Sequence, residues 1–533
     1  MIPTSTKPLL GVPIRRPVVF RTLAKVSATA LLVSFASASC SDSDEDDGTG
    51  AAGSPSSGGS GGSSGSGGTG GTIVGAGTSG IAMGQSDPAL PDACRGGIPL
   101  EGGSYHVTPG LCVRAVALTQ GELRQIAFTS NGDLIGVTVP GNIIRYRDSN
   151  EDGGFDGGEI VTLGTQGGEN GNNAHVDEEA GFLYAGSSDG VARFAYTSDM
   201  NELGEREDVV VGQSMSGTHR FHTVHVYDGW LYVHSGSENN AVAPMSPEYD
   251  TDRSLLRRFP LADFSPGAPF EWLSGEVVAL GLRNMVGFTQ NARGRMYGVI
   301  NGIDDLMYGG VDVHQDNPGD DIVLLEPGLE HGYPYCFTAA HIELANGMVA
   351  AGTQLVSATD PDAPDPDFEN PHDDAWCAEN SEPPVTFVVP HSAPLDIVFH
   401  DGREGNLPRE WRNGAFVALH GSWDAERSVG HQVLYVPFDD DGRAPMPTAN
   451  LEGTSYPFTV VFGGGTTAAP KDGIWGWGIP LAGEDPVRPV GVAISPVDGA
   501  LYVSSDNGSV LGGQGSLNQG AIYRIGLDRS AGY

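Results

Sequence analysis

Residues 281–334 read GLRNMVGFTQNARGRMYGVINGIDDLMYGGVDVHQDNPGDDIVLLEPGLEHGYP. Near the middle, a turn at Ala292-Arg293-Gly294 leads into Arg295-Met296-Tyr297-Gly298-Val299-Ile300, a short run with the bulky residues of a β-strand. The run ends in Asn301-Gly302-Ile303-Asp304-Asp305, and Asp320-Asp321-Ile322 and Gly332-Tyr333-Pro334 follow. Arg283-Asn284, at the head of the stretch, sets a permanent cation beside a side-chain amide. Donors, carbonyls and carboxylates therefore gather just past a strand end.

Outward from this stretch, the glycine turn followed by an aliphatic or aromatic strand recurs. Copies lie at 131–137, 181–186, 229–234, 294–299, 414–419 and 499–504. The early spacing is about 49 residues, a blade-like period, and the wider later gaps imply inserted loops. No helix-period pattern of useful length appears. The expected class is all-β: a six-bladed β-propeller of four-stranded antiparallel blades over residues 91–533. Strands at regular spacing also suit a β-sandwich, which needs no repeat of this length. The main insert is 337–390, proline-rich and acidic, placed either on the face that carries the strand-end loops or on the opposite one.

Composition narrows the partners. Glycine is 79 of 533 residues and the formal charge is −39. Lysine occurs only at Lys7, Lys25 and Lys471. Binding nucleic acid or an anionic membrane surface by charge is excluded on these grounds. Residues 1–40 carry an export-signal pattern: basic Arg15, Arg16, Arg21 and Lys25, then an apolar run from Val26 to Ala38 too short for a permanent span. Cys40 after Ser37-Ala38-Ser39 is a candidate lipobox, with ordinary signal-peptidase cleavage as the alternative. Residues 41–90 run from acidic to Gly/Ser-rich and cannot bury apolar area, so they are expected to be a disordered linker. The expected location is outside the cytoplasm: periplasmic, lipid-anchored at the outer membrane, or at the cell surface. Membrane contact is expected only through that anchor. Of the remaining cysteines, Cys94, Cys112, Cys336 and Cys377, pairing by neighbours is simplest among three connectivities. A metal site competes, although no C-x-x-C spacing supports it.

The ordered blocks resemble the glucose/sorbosone dehydrogenase family, soluble β-propellers that use pyrroloquinoline quinone (PQQ). The matching residues are Gly281-Leu282-Arg283-Asn284-Met285-Val286-Gly287, Asn301-Gly302-Ile303, Asp320-Asp321-Ile322 and Gly332-Tyr333-Pro334. His391-Ser392-Ala393-Pro394-Leu395, His420-Gly421-Ser422-Trp423 and Arg488-Pro489-Val490-Gly491-Val492 complete the order. The resemblance covers roughly residues 120–530 and points to six blades independently.

What the resemblance implies is PQQ- and calcium-dependent oxidation of an aldose or related polyol. His219 matches the family's catalytic histidine by its offset from the third glycine turn; His222 and His225 lie close by. A histidine is largely neutral at pH 7 and suits a base. Arg283 would polarise the quinone oxygen, and Asn284 and Asn301 would contact the cofactor. The backbone of Gly302 and Ile303, with Asp320 and Asp321, would hold calcium. His420 and Arg488 would face the cofactor carboxylates. This chain departs from the glucose-oxidising branch, with Val490 for a second arginine, His420 near a usual lysine, Ser237 for an aspartate supporting the base, and Ile303 for a proline. Two other readings stand beside this one: a calcium-dependent lactonase or esterase, and a non-catalytic extracellular binding propeller. The substrate's identity, the electron acceptor and the oligomeric state are not legible at this level.

Overall fold

The computed structural model describes residues 90–531, apart from 101–104, 120–121, 169, 188–189, 214–216, 243–251, 361–367, 404, 423, 427–428, 451–452, 465–486 and 507–519. By internal packing the chain divides into residues 1–76 and 77–533, and every described residue falls in the second unit. The export signal, the candidate lipobox and nearly all of the linker lie outside the described residues. Among the described residues no helix is long and apolar enough to cross a membrane.

Strands dominate, and they group into six main sheets. Sheet one holds Leu123–Phe128, Leu134–Thr138, Asn142–Tyr146 and Ile160–Thr165. Sheet two starts at Ala174–Asp177, sheet three at Val224–Tyr227, sheet four at Asn284–Gln290 and sheet five at Pro394–Phe399. Sheet six takes Pro489–Ile494, Leu501–Ser505 and Ala521–Leu527, and then Leu111–Leu118 from the other end of the chain. Each glycine-turn copy in the sequence is the second strand of one sheet: Leu134–Thr138, Phe182–Ser187, Trp230–Ser235, Met296–Asn301, Ala415–Leu419 and Leu501–Ser505. The turn works because glycine relieves the positive φ that a tight hairpin needs; Gly132, Gly181, Gly229, Gly294 and Gly499 all have it.

These strands are buried on both faces. Ala415–Leu419 and Leu501–Ser505 have no exposed position, so they read as continuous apolar or small-residue runs rather than as alternations. Sheets pack face to face through apolar layers, such as that of Tyr297, Val299, Phe387, Ile397, Val417 and Leu434 between sheets four and five. Neighbouring sheets touch through their first two strands, and Pro489–Ile494 of sheet six lies against Leu123–Phe128 of sheet one.

The first strands also meet one another. Gln125 donates to the carbonyls of Val286 (3.1 Å) and Leu395 (2.8 Å), and Asn172 donates to Thr223 Oγ1 (2.8 Å). Thr223 donates in turn to the Val286 carbonyl. Val286, Leu395 and Val490 pack together and are nearly solvent-free. Buried side-chain amides whose donors find acceptors make a rigid floor rather than a cost.

Both neighbour disulfides form, Cys94–Cys112 and Cys336–Cys377, with Cα–Cα distances of 5.8 and 5.7 Å. The insert read as 337–390 closes earlier than expected. Thr386–Val388 is the last strand of sheet four and pairs with Asp320–Leu324. Among its described residues the true excursion carries short strands and the helix Asp374–Asn380, capped by Asp373, whose carboxylate accepts from Trp376 N at 2.9 Å. It belongs on the face of the strand-end loops, since Ala358–Thr359 pairs with Leu306–Tyr308 and Asp360 N donates to Asp305 O.

Candidate functional site

A cavity of about 540 Å³ opens above the floor, with Leu395 at its base. That volume lies in the range of small-molecule and cofactor sites. His219, Arg283, Asn284, Asn301, Gly302 and Asp320 all line it. The strand-end loops therefore bring together six of the ten residues singled out from sequence.

His219 precedes the first strand of sheet three. Its Nδ1 lies 2.7 Å from Ser237 Oγ. The Ser237 hydroxyl spends its proton on the Asn239 carbonyl at 2.8 Å. Oγ must then accept, so His219 carries its proton on Nδ1 and leaves Nε2 as a free lone pair. Arg253, itself buried, clamps the backbone on both sides by donating to His219 O (3.1 Å), Gly236 O (2.7 Å) and Ser237 O (2.8 Å). Gly236 is needed here: a Cβ would come within 2.8 Å of His219 Cβ and of its carbonyl oxygen. Burial first, then the charges of Arg283 and Arg253, hold the His219 imidazole well below its usual pKa.

Arg283 is 3% exposed and fully held. Its guanidinium donates to Asn240 O (3.0 Å), Asn240 Oδ1 (2.8 Å) and Asp304 Oδ2 (2.8 Å). Asn284 Nδ2 reaches Asn301 Oδ1 at 3.5 Å, and Asn301 Nδ2 reaches Pro394 O at 3.4 Å.

The acidic pair splits. Asp320 accepts from Gly302 N (3.0 Å), Ala393 N (3.0 Å) and Ser392 Oγ (3.3 Å), which ties the Gly302 loop to the Ala393 loop. It thereby braces the site while lining the cavity. Asp321 points the other way, as successive residues of a strand must. It accepts from Thr338 Oγ1 at 2.7 Å, its Oδ1 is buried without a partner, and burial raises its pKa well above the usual range. Asp321 is thus a buried structural carboxyl, not a cavity ligand. The Ile303 side chain packs on Val242 and Tyr333, which leaves only its backbone for an ion.

His420 and Arg488 do not line the cavity. They form a half-buried cluster beside it: His420 Nε2 donates to Asp506 Oδ2 (2.7 Å), and Arg488 Nη2 donates to His420 Nδ1 (2.9 Å). His420 N bonds Ala393 O, and Ala393 is a cavity residue. Arg124 joins this cluster, fully buried over the Phe221 ring at 4.5 Å, and interacts with both Asp506 and Arg488. Glu122 and Asp396 also act on Arg124, so its guanidinium stands among several acidic groups as well as beside Arg488. Val490, where the resembled branch has an arginine, sits in the apolar floor, and Arg124 brings the second guanidinium from the neighbouring sheet.

Several lining residues were not singled out from sequence. Asp304, His391 and Asp424 place a carboxylate oxygen, a ring nitrogen and another carboxylate oxygen within 4.8 Å of one another. His391 Nε2 bonds the carbonyls of His314 (2.5 Å) and Asn317 (3.2 Å), so its Nδ1 is left as an acceptor facing Asp304 at 3.8 Å. Three acceptors with no donor among them suit a cation. The sequence signal for Asp304 is the acidic pair Asp304-Asp305, which precedes Asp320-Asp321; Asp424 and Arg124 carry none.

Fold and site together define an all-β protein with a cavity of small-molecule size, lined by several polar side chains, at the strand ends of its sheets. The chain belongs to the TrAA12-like family, whose model matches residues 105–511. The PQQ-dependent pyranose dehydrogenase of Coprinopsis cinerea is 29% identical over 54% of this chain and 38% of its own length. The chain thus spans well under half of that relative. The PQQ-dependent sugar dehydrogenase of Hypocrea jecorina is 26% identical over 62% of this chain and 71% of its own. Among solved structures, the holo form of the pyranose dehydrogenase PQQ domain from C. cinerea matches with a TM-score of 0.62 at 23% identity, over 81% of this chain and 98% of that one. The calcium structure of the Trichoderma reesei family AA12 enzyme matches at 0.61 and 23%, over 80% and 97%. These likenesses establish a shared fold.

Proposed function

We propose that this chain is a PQQ- and calcium-dependent dehydrogenase of an aldose or related polyol, built as a six-bladed propeller and exported. Supporting six blades are six sheets that each begin with a first strand at the shared floor, and one sheet closed by both chain ends. Supporting export are the basic-then-apolar leader, Cys40 and the acidic-to-Gly/Ser run. The single observation that carries the activity is His219 with Nε2 free, beside buried Arg283, at a cavity of cofactor size.

The residues fit the cofactor. The guanidiniums of Arg124 and Arg488, beside the cavity, would suit its carboxylates, and Asn284 and Asn301 would offer amides to its ring oxygens. The backbone of Gly302 and Ile303, with Asp304 and Asp424, supplies hard oxygen donors for calcium. When bound, PQQ supplies the two-electron acceptor and calcium its polarisation. His219 Nε2 takes the proton of the sugar hydroxyl, and the Ser237 bond keeps the ring aimed while it does so. Arg283, held by Asn240 and Asp304, would offer a fixed positive charge to a bound quinone at no cost of reorganisation.

The test is reconstitution. Purified protein plus PQQ and calcium should reduce a dye with an aldose panel, need both additions, and lose activity with EDTA. His219→Gln should keep PQQ bound and lower turnover by about 10²–10⁴. Absence of PQQ uptake at micromolar concentration would remove this reading. A second reading has its own support: Asn240, Asn284, Asn301, Asp304 and Asp424 converge on one cavity, as a calcium-dependent lactonase requires. Lactone hydrolysis with calcium and without PQQ would favour it.

A further inference from the structure

Away from the cavity, the hairpin that joins Asn142–Tyr146 to Ile160–Thr165 reads Asp148-Ser149-Asn150-Glu151-Asp152-Gly153-Gly154-Phe155-Asp156-Gly157-Gly158-Glu159. Oxygen-bearing side chains occupy the first, third, fifth, ninth and twelfth positions. Glycine stands at the sixth, an apolar residue at the eighth, and glutamate at the twelfth. That is the complete ligand order of a twelve-residue calcium loop, here mounted between two strands rather than two helices. We propose that residues 148–159 bind a calcium ion distinct from the one at the cavity, and that this ion braces the join between the first and last sheets.

The fold has the chain wrapped as such a loop requires. Asp148 accepts from Asp152 N (3.0 Å) and Gly153 N (2.9 Å), and Asn150 Oδ1 accepts from Asp152 N (2.8 Å). Gly153 turns at φ +83°, where a Cβ would meet the Arg524 guanidinium at 2.9 Å. Glu159 returns from the strand to the loop's start, accepting from Ser149 N at 2.7 Å and Asn150 N at 3.1 Å.

Charge is the independent observation. Glu159 is only 7% exposed, and its carboxylate is drawn back among the loop's own donors. Among the described residues each nearby guanidinium is turned to another carboxylate: Arg147 to Asp133 (2.6 and 2.5 Å), Arg95 to Asp92 (3.5 Å) and Arg524 to Asp498 (3.8 Å). Among the described residues the carboxylates of Asp148, Asp152, Asp156 and Glu159, the last of them buried, form no ion pair, although Arg524 lies against Gly153. An all-oxygen set on a glycine-rich, pliable loop suits calcium over magnesium, which demands stricter geometry.

The loop's position gives the ion its role. Phe155 N bonds Val116 O at 2.7 Å, on the strand Leu111–Leu118 that closes sheet six. Its ring packs against Tyr146 at 5.7 Å and Tyr502 at 6.4 Å, one from each of the two sheets. An ion that orders the loop therefore orders the seam.

Chelator-stripped, PQQ-free full-length protein would be titrated with calcium by calorimetry and melted with and without it. Wild type should bind one more calcium than E159Q and D152A, and calcium should raise its melting temperature through that site. The exposed Asp152 makes D152A the variant that keeps the comparison open if E159Q fails to fold. Asp304→Asn, altered at the cavity, should keep the loop's calcium. Equal stoichiometry and an equal calcium-dependent melting shift in wild type and D152A would overturn the proposal. The experiment contains no PQQ and no sugar, so its result is separate from that of the dehydrogenase reading.

Discussion

At the residue scale, His219 shows how a partner decides what an imidazole can do. Ser237 is neutral, so it fixes the tautomer without stabilising the imidazolium, while Arg283 and Arg253 disfavour protonation. The sign follows: a base whose pKa is lowered stays unprotonated as pH falls through 6.5. The acid limb of kcat/KM in the reconstituted enzyme should therefore lie well below pH 6.5. Ser237→Asp should move that limb to higher pH, because a carboxylate beside Nδ1 favours the protonated ring. Ser237→Ala should lower kcat without moving the limb upward. A limb that stays in place in Ser237→Asp would show that Ser237 does not position the base.

At the element scale, the excursion between Asp320–Leu324 and Thr386–Val388 is a small structure of its own. Its helix is tied on both sides, since Asp374 accepts from Val356 N (2.9 Å) and from Tyr308 Oη (2.9 Å). Cys336–Cys377 closes it at the base, next to the buried Tyr335 and Phe368. Replacing both cysteines by serine should lower unfolding stability by about 3–4 kcal/mol, the chain-entropy value for a loop of this length. Chemical denaturation of the oxidised protein and the double variant measures it. An unchanged midpoint would mean that the helix contacts alone hold the excursion.

At the scale of the whole molecule, the last sheet is completed by both ends of the chain. Ala521–Leu527 runs between Leu501–Ser505 and Leu111–Leu118, and Ile522, Tyr523, Ile525 and Leu527 are all essentially buried. Removing residues 521–533 would strip the ladder from two strands at once and open the apolar layers on each side. That truncated protein should show no cooperative thermal transition. A melt close to wild type would show that the closing strand contributes little.

The sequence by itself determined the strand content, the six glycine-turn strands, both disulfides and the loop region of the site. Each of these is a local property: turn glycines, runs of β-formers and cysteine neighbours act over a few residues. Only the tertiary structure decided which side chains face the cavity. Asp321 and Asp320 are adjacent and similar, yet strand alternation buries one away from the site and sets the other to bracing it. Arg124, Asp424 and His391 come from three different sheets or loops, and their approach to Arg488 or Asp304 depends on how the sheets stack. The extent of the insert was misjudged for the same reason: Thr386–Val388 is identified as a strand of sheet four by its partner, Asp320–Leu324, more than sixty residues earlier. Pairing over such distances leaves no periodic mark in the chain.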